Sequence, residues 1–357
     1  MKNILVTGSA GFIGFHLVKA LLGAGYRVLG IDNMNDYYDP RLKQTRLDAL
    51  DDFAATQNCR DKYQFYKLDI ADRKAVENLF AEHELPIIIH LAAQAGVRYS
   101  LENPYAYMDA NLNGFINMLE ACRTARPEHF IFASSSSVYG MNIKQPFRVD
   151  DNTDFPISLY AATKKSNEVM AHAYSHLFSL PMTGLRFFTV YGPYGRPDMA
   201  YYKFTKAIMQ GKPIDVYNQG DMKRDFTYID DIIDGIMGVL TKPPVAVANP
   251  ISHAQAPFHL FNIGGNQPIA LKHLIQAIET ACGKKAQTNL LPMQAGDVPI
   301  TYADIDPLAQ ATGFAPSISI EEGIAHFVEW FKTCAFESGD FESSKHASSD
   351  LEVYDNA

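Results

Sequence analysis

The stretch that decides the fold is NILVTGSAGFIG, which occupies residues 3–14. Residues 3–7 are mostly apolar and are typical of a buried parallel strand. Gly8, Gly11 and Gly14 follow at the spacing G-x-x-G-x-x-G, and the apolar period of the next ten residues predicts a helix. Such a turn brings the backbone close to a pyrophosphate, and the helix N-terminus offers free amides to it. The stretch therefore predicts a dinucleotide-binding turn.

The next strand supports this interpretation and selects the dinucleotide. Residues 26–31 predict a second strand, which ends at Asp32. A carboxylate at this strand end accepts hydrogen bonds from the adenosine ribose, and its charge would repel a 2′-phosphate. We therefore expect NAD rather than NADP.

Strands and helices then alternate along the first half of the chain. Further strands are predicted near residues 64–67, 86–90, 128–134 and 182–187, and helices near 73–82, 105–125 and 159–177. The segment from Asn33 to about Arg60 is expected to be a polar connection. The alternation predicts an α/β fold of the Rossmann type, a doubly wound parallel sheet covered by helices on both faces.

Past Gly192 the alternation is lost. Helices near residues 201–210, 229–240, 271–282 and 321–332 mix with short strands near 215–217 and 259–262. This pattern predicts a smaller, discontinuous α/β lobe for the substrate. The expected division is a cofactor domain over 1–190 (with a strand returning near 259–263), a substrate lobe over 191–335 and a disordered tail over 336–357.

Composition excludes several classes of protein. The 357 residues are 47% hydrophobic and 20% charged, as in globular proteins, and no apolar run is long enough to span a bilayer. A net charge of −9 without a basic tract argues against nucleic acid as a partner. The four cysteines are scattered and lack metal-ligand spacing. We expect a cytoplasmic protein that binds no metal, nucleic acid or membrane.

Tyr160 and Lys164 form the strongest catalytic candidate. Positions i and i+4 share one face of a helix, and a nearby cation lowers the pKa of a phenol. A tyrosine tuned in this way can exchange a proton with a sugar hydroxyl. A serine run at the end of an upstream strand, Ser135 to Ser137, can supply a bridging hydroxyl. The residues alone leave open which of Ser135, Ser136 and Ser137 serves.

Together these features resemble the extended short-chain dehydrogenase/reductase family, the group of nucleotide-sugar epimerases and dehydratases. The resemblance covers roughly residues 1–335, and counting back from Val138-Tyr139-Gly140 it makes Ser135 the first choice for the catalytic serine, with Ser136 and Ser137 still open. It implies a homodimer and NAD held by residues of the glycine turn, the strand ends and the catalytic helix: Gly8, Gly11, Phe12, Ile13, Gly14, Asp32, Asn33, Asp69, Ile70, Leu91, Ala92, Ala93, Gln94, Asn111, Tyr160, Lys164 and Phe187.

The reaction is narrowed by the residues after Ser135. Relatives that eliminate water or decarboxylate usually carry an acid there, whereas Ser136 and Ser137 do not titrate near neutrality. We therefore expect epimerisation at C4 of the sugar through a transient 4-keto intermediate, with NAD tightly bound. A decarboxylase and a non-catalytic NAD-binding sensor remain alternatives.

The substrate is indicated by segments 94–100, 192–199 and 292–299, which resemble the branch that epimerises UDP-glucuronate to UDP-galacturonate. In that branch Arg196 and Thr189 would grip the sugar carboxylate, Arg224 the diphosphate, and Val216 and Tyr217 the uracil. The resemblance also places Arg98 and Asp297 at the substrate. An alternative role for Arg196, in binding the diphosphate or in the structure, stays open. UDP-glucose and UDP-N-acetylhexosamines also stay open as substrates.

Overall fold

In the computed structural model, residues 2–248, 255–294 and 296–336 are described. Fourteen strands lie in these ranges. In chain order they are β1 Asn3–Thr7, β2 Arg27–Asp32, β3 Tyr63–Lys67, β4 Ile87–His90, β5 His129–Ser135, β6 Met182–Phe187, β7 Thr189–Tyr191, β8 Ile214–Val216, β9 Lys223–Tyr228, β10 Val247–Ala248, β11 Gln255–Ala256, β12 Phe258–Ile263, β13 Pro268–Ala270 and β14 Thr288–Leu290.

Seven of these strands form one parallel sheet in the order β12-β6-β5-β4-β1-β2-β3. The strand order reverses between β1 and β4, because the chain first builds outward to β3 and then returns to the other side of β1. At such a switch point the connections diverge and leave a crevice beyond the carboxyl ends of the strands. The predicted doubly wound α/β fold is confirmed.

Side chains of the first strand alternate between two cores. Ile4 and Val6 pack into the hydrophobic cluster on one face of the sheet, and Leu5 packs into the cluster on the other. All three are fully buried. A strand covered on both faces has no solvent side, which explains why residues 3–7 lack a polar alternation.

Twelve α-helices accompany the strands in the described ranges. They are α1 Phe12–Gly23, α2 Pro40–Thr56, α3 Arg73–Glu82, α4 Tyr99–Glu102, α5 Pro104–Tyr107, α6 Gly114–Ala125, α7 Leu159–Phe178, α8 Ala200–Met209, α9 Ile229–Leu240, α10 Leu271–Cys282, α11 Asp306–Thr312 and α12 Ile320–Trp330.

Helix α2 corrects the prediction of a polar connection between Asn33 and Arg60. Asp39 caps the helix by accepting the backbone N–H of Arg41 at 2.9 Å, and Pro40 occupies the first turn. The helix is polar overall, yet its buried face includes the cations Lys43 and Arg46 beside leucines. Because charged residues occupy part of the buried face, the sequence does not show the apolar period that would predict this helix.

The helix predicted over residues 105–125 is interrupted. A π-helical segment, Met108–Asn113, lies between α5 and α6. Such a segment inserts an extra residue into a helical turn and is frequent at functional sites. Here it contains Asn111, whose buried side chain contacts α7 through Thr163.

The second half of the chain contains strands that the sequence pattern did not predict. β9 pairs in parallel with β7 and antiparallel with β13, and β14 pairs in parallel with β8. The returning strand β12 lies beside β6 at the edge of the large sheet. Apart from Phe336, which ends a π-helical segment, the predicted disordered tail lies outside the described residues.

Candidate active site

A continuous cleft of about 1320 Å³ lies beyond the carboxyl ends of β1, β4, β5 and β6. Nearly all of the sequence-predicted site residues line it. Two do not. Val216 is buried in the core, with the predicted Tyr217 next to it on the cleft wall, and Asn111 lies behind α7. The uracil contact expected of Val216 stays a prediction. Its side chain is 2% exposed and lies on a short strand whose neighbour Asp215 is exposed.

The glycine turn has the geometry of a phosphate cradle. Gly8 has a φ of 70°, which strains residues with a side chain. A Cβ atom on Gly14 would lie 2.1 Å from the Gly8 carbonyl oxygen. The turn therefore requires glycine at both positions, and the N-terminus of α1 faces the cleft through Gly11, Phe12 and Ile13.

Two tethers brace this turn against the loop after β7. Arg46 is fully buried and donates from Nη1 to the Ala10 carbonyl at 2.9 Å and from Nη2 to the Tyr194 carbonyl at 2.6 Å. His16 on α1 lies 3.0 Å from the Pro193 carbonyl oxygen, and burial lowers its pKa to about 3. Residues 192–199, which carry Arg196, are thus tied directly to the glycine turn.

Asp32 lies where the adenosine ribose is expected. It is buried, accepts the backbone N–H of Met34 at 2.8 Å and pairs with the Lys43 ammonium at 3.2 Å. Lys43 also donates to Asn35 Oδ1 at 3.0 Å. Lys43 was missed from the sequence because it lies on the unpredicted helix α2. Lys43 thus orients Asp32, the acid at the end of β2 that is typical of an NAD-binding cleft.

Tyr160 and Lys164 lie on the first turns of α7 and both line the cleft. Ser158 caps this helix by accepting the backbone N–H of Ala161 at 3.1 Å. Among the three candidate serines, Ser135 is the one that acts on the pKa of Tyr160, and its own hydroxyl donates to Ser137 Oγ at 3.1 Å. Its Oγ also accepts the backbone N–H of Ser137 at 3.2 Å, which fixes its position at the strand end.

The electrostatics of Tyr160 differ from the prediction. Burial raises the pKa of Tyr160, and the opposing influences are the Ser135 hydrogen bond and the charge of Arg196. Lys164 instead donates to the Ala133 carbonyl at 2.9 Å. The expectation that Lys164 lowers the tyrosine pKa below its ordinary value is therefore wrong for the protein alone, because desolvation outweighs the nearby charges.

Burial also lowers the pKa of Lys164, to about 8. The lysine is 4% exposed, so its ammonium is largely desolvated. The folded-state pKa lies below the unfolded value of 10.5, so ionised Lys164 opposes folding at pH 7, and this cost disappears as the pH rises toward 10.5.

We expect Lys164→Met to raise the free energy of unfolding of the NAD-free protein at pH 7 by up to about 3 kcal/mol. The gain in the free energy of unfolding should be smaller at pH 9.5 than at pH 7. Turnover by the variant should be lower than that of the wild type. Urea denaturation at both pH values measures the gain, with the exposed Lys74→Met as control. A gain that does not change with pH would contradict the assignment.

A buried polar network supports α7, the helix of Tyr160 and Lys164, from behind. Glu168 on α7 accepts Arg186 Nε at 2.8 Å and Nη2 at 2.9 Å, and Ser134 donates to it at 2.5 Å. Arg186 Nη1 donates to the Tyr139 hydroxyl at 2.9 Å. Asn111 adds a second support by donating to Thr163 Oγ1 at 3.0 Å. These bonds fix α7 relative to β5 and β6.

The far end of the cleft contains cations and one aromatic ring. Arg98 and Arg224 approach Asp297 from two sides, with N···O distances of 3.4 and 3.6 Å. The Arg98 guanidinium lies 5.3 Å from the centre of the Tyr217 ring. Lys203 lines the same wall. This end of the cleft therefore carries positive charge and an aromatic face, although the net charge of the chain is −9.

Arg196 lies between the two ends of the cleft, near Tyr160, and Thr189 lines the same cleft at the start of β7. The guanidinium is already engaged by Asp198, from Nε to Oδ1 at 3.0 Å and from Nη2 to Oδ2 at 2.5 Å. Tyr37 donates to Asp198 Oδ2 at 3.3 Å. Asp198 and Tyr37 were missed from the sequence, although an acid two residues after the arginine was a visible signal.

Residues 4–264 match the NAD dependent epimerase/dehydratase family, and the chain belongs to this family. It is 50% identical to a probable UDP-glucuronate 4-epimerase of Rhizobium meliloti, covering 92% of this chain and 96% of that one. With UDP-glucuronate 4-epimerase 1 of Arabidopsis thaliana it shares 44% identity over 92% and 76% of the chains. UDP-glucuronic acid 4-epimerase from Bacillus cereus, solved with UDP-glucuronic acid and NAD, superposes with a TM-score of 0.82 at 33% identity, covering 92% and 99%.

No helix among the described residues combines the length and apolar character that crossing a bilayer requires.

Proposed function

We propose that this chain is a UDP-glucuronate 4-epimerase, an NAD-dependent isomerase that interconverts UDP-glucuronate and UDP-galacturonate. The observation that carries the proposal is the presence of Tyr160, Ser135 and Arg196 in one cleft. The first two supply proton transfer, and the third supplies a cation for the C5 carboxylate of a uronic acid. The named relatives act on this substrate.

The cleft fits NAD on structural grounds. Glycine at position 14 lets α1 pack closely against the turn, because a Cβ atom there would lie 2.1 Å from the Gly8 carbonyl oxygen, and the free amides at the start of α1 face the cleft. Asp32 would hold the adenosine ribose, and Lys164 the nicotinamide ribose. When bound, NAD supplies reversible acceptance of a hydride from C4 of the sugar.

In the proposed mechanism Tyr160 takes the proton of the C4 hydroxyl and later returns it. Ser135 orients that hydroxyl by bridging it to the phenol. Arg196 has two roles, since its charge favours the phenolate of Tyr160 and its free N–H groups can hold the carboxylate. The 4-keto sugar turns about its link to the diphosphate, so that the opposite face is reduced.

Holding the carboxylate protects the intermediate. A 4-keto uronic acid is a β-keto acid and loses CO2 when its C5–carboxylate bond is perpendicular to the carbonyl group. Ser136 and Ser137 offer no titrating acid or base beside Ser135 that would favour elimination or decarboxylation. UDP-glucose and UDP-N-acetylhexosamine 4-epimerases share the tyrosine and serine chemistry, and Arg196 favours the uronate over them.

Arg196→Ala is expected to lower kcat/KM for UDP-glucuronate by about 100-fold or more, because a charge-assisted bidentate contact is lost and the phenolate of Tyr160 loses a supporting cation. A pentose product, formed after CO2 loss, should appear in part. Initial rates and chromatography of the UDP-sugars measure both effects. Normal turnover of UDP-glucuronate by the variant would remove Arg196 from the carboxylate site.

The proposal as a whole is tested by incubating the purified protein with UDP-glucuronate and no added NAD, and by separating the products. UDP-galacturonate should form until equilibrium is reached, from cofactor retained through purification. Conversion of UDP-glucose but not UDP-glucuronate would favour the neutral-sugar alternative, and a pentose as the main product would favour the decarboxylase.

We further propose a homodimer formed through the face of α5, the π-helical segment and α7. Large apolar side chains are exposed there: Tyr105 is 78% exposed, Val169 58% and Leu177 67%. Large apolar side chains that are exposed on neighbouring helices are typical of an association site. Light scattering at micromolar concentration should give twice the chain mass, and Val169→Asp should reduce it. A wild-type monomer would contradict the proposal.

A further inference from the structure

The pairing of Arg196 with Asp198 has a consequence for substrate selection. The side chains of these residues are 24% and 15% exposed, and both line the cleft. Burial would raise the pKa of Asp198, but the charge and hydrogen bonds of Arg196 lower it, so the carboxylate is ionised at neutral pH. The cleft therefore presents to an incoming anion a charged guanidinium that is already paired with one carboxylate.

Asp198 also limits which edge of the guanidinium is available. An arginine side chain has five N–H donors in a planar fork. Asp198 takes one from Nε and one from Nη2, and is itself held by the Tyr37 hydroxyl. Only the donors on the Nη1 side and the second donor of Nη2 remain for a substrate. A carboxylate that binds there meets a guanidinium whose orientation is already fixed.

We propose that Asp198 is a positioning residue that orients Arg196 and sets the pose and selectivity of the uronate carboxylate. This inference rests on the proposed function. Without Asp198 the substrate carboxylate would take its place on the Nε and Nη2 edge, because an uncompensated, partly desolvated cation pairs with the nearest anion. Binding would then be tighter, and the sugar ring would be displaced from Tyr160.

Displacement changes the fate of the 4-keto intermediate. When the C5–carboxylate bond is no longer held away from the perpendicular geometry, that bond breaks and its electron pair forms an enolate with the C4 oxygen. CO2 leaves, and a proton from solvent is added at C5. The contact of Asp198 with Arg196 thus keeps the substrate in its pose. It also prevents loss of CO2, so that the product keeps its carboxylate.

The test compares Asp198→Ala with the wild type and with Glu77→Gln, which removes a carboxylate from an exposed pair with Arg73 outside the cleft. We expect KM for UDP-glucuronate to fall severalfold and kcat to fall on the order of tenfold or more. A pentose product should appear, and inhibition by UDP-glucose, which lacks the carboxylate, should change less than about twofold.

Other outcomes overturn the inference. Equal loss of affinity for both UDP-sugars would indicate a structural role, and unchanged kinetics and products would indicate none. If Asp198→Ala does not fold, as judged by thermal melting and NAD content, Asp198→Asn carries the same test because it removes the charge at constant volume. If the wild type and Glu77→Gln do not turn over UDP-glucuronate, the proposed function itself fails.

Discussion

Tyr160→Phe should lower kcat for UDP-glucuronate epimerisation by about 1,000-fold or more while the protein still binds NAD. The substitution removes one hydroxyl, which is the group that exchanges the C4 proton in the proposed reaction. Positioned acid–base groups contribute roughly 100- to 10,000-fold to rate, and phenylalanine has no group that exchanges a proton. Rates and the absorbance of retained cofactor measure the two effects separately.

Two controls sharpen this expectation. Ser135→Ala leaves the phenol in place and should cost less than Tyr160→Phe, because a serine that only orients the hydroxyl can be replaced in part by water. Tyr107→Phe keeps a ring that lies edge-on to Tyr160 at 6.1 Å between centroids and removes a hydroxyl that donates to the Ala95 carbonyl at 3.1 Å, so it should cost far less turnover than Tyr160→Phe. Retained turnover in Tyr160→Phe would refute the proton-transfer role.

The second large effect concerns stability. Glu168→Gln should lower the free energy of unfolding by about 3–5 kcal/mol, a large share of the 5–15 kcal/mol that stabilises a typical domain. The substitution keeps the volume but leaves the guanidinium of Arg186, which is 2% exposed, without its counter-ion. Burial alone would lower the pKa of Arg186, and Glu168 reverses this. Chemical denaturation measures the change.

A double variant separates charge from packing. Glu168→Gln with Arg186→Met removes both ions, and we expect it to recover part of the lost stability, since an unpaired buried charge costs more than an absent pair. An additive loss in the double variant would show that the two residues act independently. Because Glu168 lies on α7, the single variant should also reduce turnover through misplacement of the helix.

The parts of the fold that the sequence predicted have local causes. The glycine turn after β1 is visible because only glycine tolerates the contact between residues 8 and 14. α3, α7 and α9 are visible because their buried faces follow a helical period. Residue spacing alone also places Tyr160 and Lys164 on one helical face.

What the sequence could not reveal depends on partners far along the chain. Lys43 on α2 is buried because its ammonium pairs with the carboxylate of Asp32. The local sequence around Lys43 does not show this partner and predicts an exposed lysine. The pKa of Tyr160 is decided by burial and by Arg196, 36 positions away, more than by the lysine one turn along. Short strands such as β13 exist only because β9 lies beside them.

The buried arginine that joins the Ala10 and Tyr194 carbonyls has a kinetic consequence. For NAD to leave, we expect the turn around Ala10 to open, and that opening would strain a hydrogen-bonded contact with the loop that carries Arg196. Departure of the dinucleotide is therefore coupled to loss of order in the loop after β7, on the opposite wall of the cleft. A long residence time follows, and one dinucleotide can serve many successive substrates without exchange with the surrounding pool.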